Sequence, residues 1–385
     1  MKRSPLASVF LIVAVDVLGF TIILPLLPFY AEKFGASPLV VGALVSAYGL
    51  CQLIAGPILG HLSDRFGRKP ILLVSQFGTL VGFLILAFAK SLPLIFLSRI
   101  IDGITAGNLS VAQAYISDVT EAKDRAKSFG LIGIAFGLGF LIGPATSGVL
   151  AHFNYQYPIF AAAGLSLTSI LATYFLLPSV SMTVHAGEEA GQRFSPKIYS
   201  DSFRDPALGP LFRQFLAFIF SFVIFMSGFA LFAERRFTFR GVPFGAREVG
   251  VAFAFAGFLG VIVQAGLIGR LVKRFGEAQL VRVGFACISF GFLCLGVAKS
   301  IPFLAFVIVV SFFGSSLLRP SLTSLITRNA SKNQQGVTLG LTQSLMSISQ
   351  VVGPLLSGVL IEHALLKEWA WLGAIVTAIG FFLTY

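Results

Sequence analysis

The sequence predicts an all-α membrane protein in which twelve transmembrane helices form two pseudo-symmetric halves of six. The prediction rests on the composition, on the length of the apolar runs and on an internal repeat. The chain has 385 residues, of which 56% are hydrophobic and 11% charged, with a mean hydropathy of +0.90. Soluble domains carry about 25% charged residues, so this composition excludes an ordinary water-soluble domain.

Twelve apolar segments are each long enough to cross about 30 Å of hydrocarbon as a helix, which takes roughly 20 residues. The first contains Asp16 and has no small-residue cleavage site, so it is expected to be an uncleaved span rather than a signal peptide. The predicted spans are 6–30, 39–61, 71–90, 93–117, 128–151, 157–177, 211–234, 248–270, 279–298, 301–326, 336–361 and 369–385.

One long polar segment, residues 178–210, interrupts this series between the sixth and seventh spans. It predicts three parts: an N-terminal six-helix bundle at 1–177, a central linker at 178–210, and a C-terminal six-helix bundle at 211–385. The linker is expected on the cytoplasmic side.

The two halves share sequence. Gly60–Lys69 is a glycine-bounded cluster of charged residues, and Gly269–Gly276 repeats five of its positions 209 residues later. Gly143-Pro144 likewise matches Gly353-Pro354 at an offset of 210. Parallel six-span repeats are typical of transporters that hold their substrate near the bilayer midplane and work by alternating access.

The net charge of +12 does not indicate nucleic-acid binding, because most lysines and arginines fall in the loops on the side of the N-terminus. This bias predicts a cytoplasmic N-terminus. Arg235, Arg236, Arg240 and Arg247 form a basic loop that this rule does not explain.

Three segments resemble motifs of one family. Gly60–Lys69 resembles the loop signature between spans two and three of the major facilitator superfamily. Leu97–Gly103 resembles its span-four motif with a buried arginine, and Gly137–Gly148 resembles the glycine-proline "antiporter" motif of span five. With Asp16 in span one and Asp118 closing span four, the chain resembles the twelve-span drug/proton antiporter branch, in particular the tetracycline/proton antiporters.

This resemblance implies a cytoplasmic gate that closes one side of the membrane. Asp64 would accept hydrogen bonds from a facing helix N-terminus, and Arg68 would pair with Asp118. The alternative is that these are ordinary solvated loop charges. The predicted gate residues are Gly60, Asp64, Arg65, Gly67, Arg68, Lys69, Asp118, Lys273 and Arg274.

Three charged residues inside the spans are candidates for proton coupling: Asp16, Arg99 and Asp102. Charged side chains at mid-membrane are costly and mark ion or proton pathways. Asp16 could instead be a hydrogen-bonded helix-packing residue. Arg99 and Asp102, three residues apart on one helix face, could simply neutralise each other.

The antiporter-motif helix is expected to contain Gly137, Gly143, Pro144 and Gly148, where small residues allow close helix packing. Polar residues in other spans suggest a substrate cavity, although such residues also join helices to one another. Arg319 could attract an anionic group or extend towards the cytoplasmic interface. The cavity candidates are Asn108, Gln113, Gln264, Arg319 and Gln343.

The resulting hypothesis is a secondary transporter that exports small lipophilic or amphipathic compounds in exchange for protons. No Gly-x-x-x-x-Gly-Lys-[Ser/Thr] loop is present in the sequence, so an ion gradient rather than ATP is the expected energy source. The alternatives are a proton-coupled importer or passive carrier of an organic anion, and a receptor without transport. We expect no enzyme activity, metal or cofactor, and a monomer in the inner cell membrane whose partners are lipid, protons and a small-molecule substrate, not nucleic acid.

Overall fold

The computed structural model describes residues 5–120, 125–178, 201, 203–330 and 335–385, and these are almost entirely helical. Most of the predicted linker 178–210 lies outside the described residues. The first part of the chain forms α1 (Pro5–Ile23), α2 (Leu27–Glu32), α3 (Pro38–Phe66), α4 (Arg68–Ala87), α5 (Leu92–Ile104), α6 (Asn108–Val119), α7 (Arg125–Phe153) and α8 (Gln156–Leu176).

The second part begins with α9 and contains a short antiparallel hairpin and a π-helical turn, Val263–Leu267. Its elements are α9 (Leu208–Arg236), β1 (Thr238–Phe239), β2 (Val242–Pro243), α10 (Ala246–Ile262), α11 (Ile268–Phe275), α12 (Glu277–Val297), α13 (Ile301–Asn329), α14 (Gln335–Glu362) and α15 (Leu366–Phe382).

Within the described residues, 10 helical stretches are long and apolar enough to cross a membrane. They coincide with ten of the twelve predicted spans. The predicted span 248–270 corresponds to α10, the π turn and α11 together, and the predicted span 369–385 corresponds to α15, which has 17 residues. The polytopic helical fold is therefore confirmed, while the count of twelve spans remains a prediction.

The chain divides into two compact units. The first contains residues 1–183 with 244–257, and the second contains 184–243 with 258–385. In the first unit α1 packs against α7 and α8, and α4 packs against α5 and α8. In the second, α12 packs against α13 and α15, and α9 packs against α14 and α15. The predicted domain limits at 177 and 210 remain a prediction.

The internal repeat has a structural counterpart at two helix junctions. Gly67 separates α3 from α4 with φ +99°, and Gly276 separates α11 from α12 with φ +76°. Only glycine adopts such angles without steric cost. The predicted end of the second span at residue 61 was wrong, because α3 continues to Phe66. The helix continues through the polar residues His61, Ser63, Asp64 and Arg65, and the positive φ of Gly67 ends it.

The positive-inside rule does not explain the basic loop at 235–247, but two of its arginines have structural roles. Arg235 pairs with Glu234 at 2.9 Å and donates to Leu231 O in the last turn of α9. Arg236 Nε donates to Ala298 O at 2.8 Å, just beyond the end of α12. Cations near helix C-termini are stabilised by the carbonyl groups left free there, so these two charges are explained by local folding.

Candidate functional site

Asp16 lies on α1, partly exposed, and its carboxyl group is close enough to two polar side chains of other helices to interact with them. One is Ser169 of α8 and the other is Gln76 of α4. Both partners are fully buried, and Gln76 Nε2 also donates to Ser169 Oγ at 2.7 Å. The carboxyl group is therefore held at a junction of three helices while part of its residue stays accessible.

Arg99 and Asp102 form the ion pair that their spacing allowed. Arg99 Nη1 lies 3.2 Å from Asp102 Oδ2, and the two side chains are only 6% and 7% exposed. The Asp102 carboxyl group is also close enough to the Thr79 side chain of α4 to interact with it. Arg99 Nη2 is buried without a hydrogen-bond partner among the described residues. The pair therefore leaves one strong donor unused, so Arg99 could engage a second acceptor.

These groups lie close enough to interact electrostatically. Asp102 acts on Asp16, and both Asp102 and Arg99 act on Tyr48 of α3. We call Asp16, Gln76, Arg99, Asp102 and Ser169 the acidic cluster. It brings together the three proton-coupling residues predicted from the sequence and adds Gln76 and Ser169, which the sequence reasoning missed. Their polar side chains within otherwise apolar spans were the available signal.

The fourth predicted span, 93–117, is not continuous. α5 ends at Ile104 and α6 starts at Asn108, which leaves a break beside Asp102. Ser75 of α4 compensates for it: its Oγ accepts from Gly107 N at 2.8 Å and donates to Thr105 O. Backbone groups freed inside a membrane must find partners within the protein, and one buried hydroxyl supplies two of them here.

Arg68 organises the predicted gate in the first unit. Its Nε lies 2.7 Å from Asp118 Oδ2 and its Nη1 lies 2.5 Å from Asp64 Oδ1, so the predicted Arg68–Asp118 pair is present. Arg68 also donates to Ser63 Oγ at 2.7 Å. Exposed Arg65 lies over the ring of its neighbour Phe66.

Lys69 has a different contact from the other gate residues. Its Nζ donates to Tyr174 O and Leu177 O, both at 2.8 Å, at the C-terminal end of α8. A cation at this position stabilises the free carbonyl groups of the helix end. Lys69 therefore connects α4 to α8 through hydrogen bonds within the first unit.

The second unit carries the same type of ion pair with the charges exchanged. Glu277, the first residue of α12, lies 3.0 Å from Arg328 in the last turn of α13. Glu277 stands 209 positions after Arg68, and Arg328 stands 210 positions after Asp118. The repeat offset could thus have identified Glu277, which the sequence reasoning missed. The gate candidates Lys273 and Arg274 are exposed, and Arg274 lies over Phe275.

The glycines of α7 mark close helix contacts within the first unit. Thr21 of α1 lies directly against Gly143 and donates to Gly139 O at 2.9 Å. Gly148 faces the 244–257 segment of α10: a Cβ added to Gly250 would lie 2.6 Å from Pro144 O. Gly137 is also in α7, partly buried. Small residues on both sides permit this backbone-to-backbone approach.

The five predicted cavity residues lie in both units. Asn108 begins α6, where its Oδ1 is buried without a partner in the described part of the chain, and Gln113 is in the same helix. Gln264 is in the π-helical turn, Arg319 is in α13, and Gln343 is in α14. A common cavity remains a prediction.

The family model "Major Facilitator Superfamily" matches residues 9–349 and 265–385. The chain belongs to the major facilitator superfamily. As a member, it resembles "Tetracycline resistance protein, class B" from Escherichia coli at 33% identity, with 94% of this chain and 90% of that protein covered. It also resembles "Multidrug resistance protein 2" from Bacillus subtilis (strain 168) at 29% identity, covering 90% of this chain and 86% of the relative.

Solved structures show the same major facilitator fold. The human organic anion transporter MFSD10 (TETRAN) superposes with a TM-score of 0.75 at 23% identity, covering 99% of this chain and 98% of that one. The nucleoside transporter NupG superposes with a TM-score of 0.78 at 13% identity, with 99% and 98% covered. These likenesses establish the architecture, and membership of the superfamily makes the chain an integral membrane protein of a transporter family.

Proposed function

We propose that this protein exports small lipophilic or amphipathic compounds in exchange for protons. The observation that carries the proposal is the acidic cluster, in which Asp16 and Asp102 occupy one bundle with Arg99. Two neighbouring carboxyl groups repel each other when both are ionised, so one of them tends to stay protonated. A site of this kind favours proton uptake at one acid and release when a competing cation or a movement of Arg99 changes the balance.

Similarity to tetracycline- and multidrug-resistance proteins supports export of drug-like compounds. We expect exchange rather than a leak, because α7 packs closely against α1 at Gly139 and Gly143. The acids Asp16 and Asp102 would carry protons, Arg99 would bias their ionisation, and polar residues such as Gln113 would contact the substrate.

The proposal includes an inner-membrane location with the N-terminus in the cytoplasm, as the positive-inside rule indicates for this sequence. The protein would act as a monomer with lipid around it, and a proton gradient would replace any cofactor. In this orientation Asp64, Arg68 and Asp118 lie on the cytoplasmic side, where a gate is needed.

One second function has a specific observation in its favour. Arg99 has an unused buried donor, which would suit the carboxylate of an organic anion. A proton-coupled importer or passive carrier of such anions is therefore the rival.

The test is transport by purified protein in liposomes with an imposed pH gradient. Tetraphenylphosphonium, tetracycline and p-aminohippurate represent cationic, amphipathic and anionic compounds. We expect the proton gradient to drive uphill accumulation of tetraphenylphosphonium or tetracycline. This uphill transport should be lost in Asp16→Asn or Asp102→Asn, while downhill exchange persists. Uphill transport at the wild-type level in both Asn variants would remove the carrier role from these acids, and transport of p-aminohippurate alone would favour the rival.

A further inference from the structure

Gln76 is the side chain that connects Asp16 to the rest of the first unit. It is fully buried in α4. Its Nε2 donates to Ser169 Oγ at 2.7 Å, and its main-chain oxygen accepts from Ser166 Oγ at 3.2 Å, so α4 and α8 are joined at this residue. Ser169 Oγ in turn lies 3.5 Å from Ile12 O, one turn of α1 before Asp16, and the Gln76 side chain is close enough to the Asp16 carboxyl group to interact with it.

The amide of Gln76 has an unused acceptor beside an acid. Gln76 Oε1 is buried and has no hydrogen-bond partner among the described residues. Buried acceptors are rarely left unpaired, because the lost hydration is not recovered. An ionised carboxylate can only accept hydrogen bonds, whereas a protonated carboxyl donates one. The missing donor is therefore available when Asp16 takes up a proton.

We infer that Gln76 is the positioning residue for Asp16 in both of its protonation states. With Asp16 ionised, one N–H of the amide serves the carboxylate and the other serves Ser169. When a proton from water binds the carboxylate, the new O–H donates to Gln76 Oε1 and the amide N–H is released. Only hydrogen bonds change partner, and the proton that enters stays on the Asp16 oxygen.

This exchange would link protonation to helix packing. The amide that turns towards Asp16 is the same group that holds Ser169, so proton uptake alters the contact between α4 and α8. The charged groups that act on Asp16 in this environment are Asp102 of α5 and, through its ion pair, Arg99. The inference rests on the proposed proton coupling and assigns Gln76 a role within it.

The test measures the carboxyl group directly. Infrared difference spectra of the purified protein between acidic and alkaline pH should contain a carboxyl C=O band that disappears in Asp16→Asn. In Gln76→Leu we expect a shift in the midpoint of this band, which is the pH at which the band reaches half of its full intensity. The shift should be about one to two pH units, the effect of losing a hydrogen bond to a charged group. The frequency of the band should also move towards that of a free carboxyl.

Two further variants make the result specific. Ser169→Ala removes the anchor of the amide with a smaller change in volume, and we expect the same band to shift in the same sense. Gln214→Leu is the matched control: Gln214 is a buried amide in α9 that donates to Leu383 O at 2.8 Å, and its loss should leave the band unchanged.

An unchanged midpoint and frequency in both Gln76→Leu and Ser169→Ala would overturn the inference. So would a wild-type Asp16 band that does not respond to pH. The outcome is separate from that of the proposed function, because transport in liposomes is measured on the same samples. Wild-type protein with a Gln76-dependent band but no proton-driven transport would refute proton-coupled export and leave the Gln76–Asp16 linkage standing.

Discussion

At the scale of single residues, Arg68 shows how one side chain connects the end of its neighbouring helix to an acid 50 residues away. It contacts Asp64, Asp118 and Ser63, and it is itself 13% exposed while the two acids are 40% and 35% exposed. Isolated exposed ion pairs contribute roughly 0–1 kcal/mol, but a planar guanidinium shared by several acceptors is more effective.

We therefore expect Arg68→Gln to lower the free energy of unfolding by about 1–2 kcal/mol, seen as a lower melting temperature in detergent. Arg65→Gln is the control, since Arg65 is exposed and lies over the ring of Phe66. Equal melting temperatures for the two variants would mean that the Arg68 network contributes nothing to stability.

The buried pair Arg99–Asp102 gives a second prediction at this scale. Removing one partner of a buried pair typically costs about 3–5 kcal/mol, while replacing both with apolar residues is often neutral. Arg99→Leu should therefore lower the melting temperature strongly, and Arg99→Leu combined with Asp102→Leu should restore most of it. A double variant that is no more stable than Arg99→Leu would show that the two side chains do not compensate each other.

At the scale of elements, the break between α5 and α6 depends on the hydroxyl of Ser75. Ser75→Ala leaves Gly107 N–H and Thr105 C=O without this partner, and an unsatisfied buried group costs about 1–3 kcal/mol. We expect a matching drop in the melting temperature. Ser349→Ala is the control, because Ser349 is equally buried but donates within its own helix to Leu345 O. Should the two alanine variants melt together, Ser75 would not be what stabilises the break.

The contact between α7 and α10 provides another element-scale prediction. Gly250→Ala places a methyl group only 2.6 Å from Pro144 O, which is too close for a van der Waals contact, so the helices must separate. Overpacking of this kind costs about 1–3 kcal/mol. Gly164→Ala in α8 has no atom within 4 Å of the new methyl group and should be neutral or stabilising, since alanine favours helices. Melting temperatures of both variants test this, and an undisturbed Gly250→Ala would mean that the contact is not tightly packed.

Sequence reasoning succeeded at this scale where hydropathy or the repeat carried the information. Long apolar runs predicted the helices, and the three-residue spacing of Arg99 and Asp102 predicted their shared face. It failed where tertiary contacts decide. The helix break at 105–107 depends on Ser75 from another helix, and no local sequence pattern near Gly107 predicts this break. The helix through Phe66 was missed because charged residues were equated with a loop.

At the scale of the whole molecule, this helical membrane protein of the major facilitator superfamily has charged side chains buried in its first unit. Such charges are costly inside a membrane and are usually retained for a function. The repeat of Arg68–Asp118 as Glu277–Arg328, with the signs exchanged, shows that the two units share a geometry at corresponding helix ends. The acidic cluster lies in the polar core of the first unit, which is therefore the place to test function.

The most direct test uses a gradient of the substrate to drive proton movement, rather than a proton gradient to drive substrate transport. Liposomes containing the purified protein and an internal pH dye, with the membrane potential clamped, receive an outward or inward gradient of tetraphenylphosphonium or tetracycline. Exchange predicts that protons move against the direction of the compound, and that this movement vanishes in the Asp16→Asn, Asp102→Asn double variant. Compound flux without any proton movement, or protons moving in the same direction as the compound, would contradict the account.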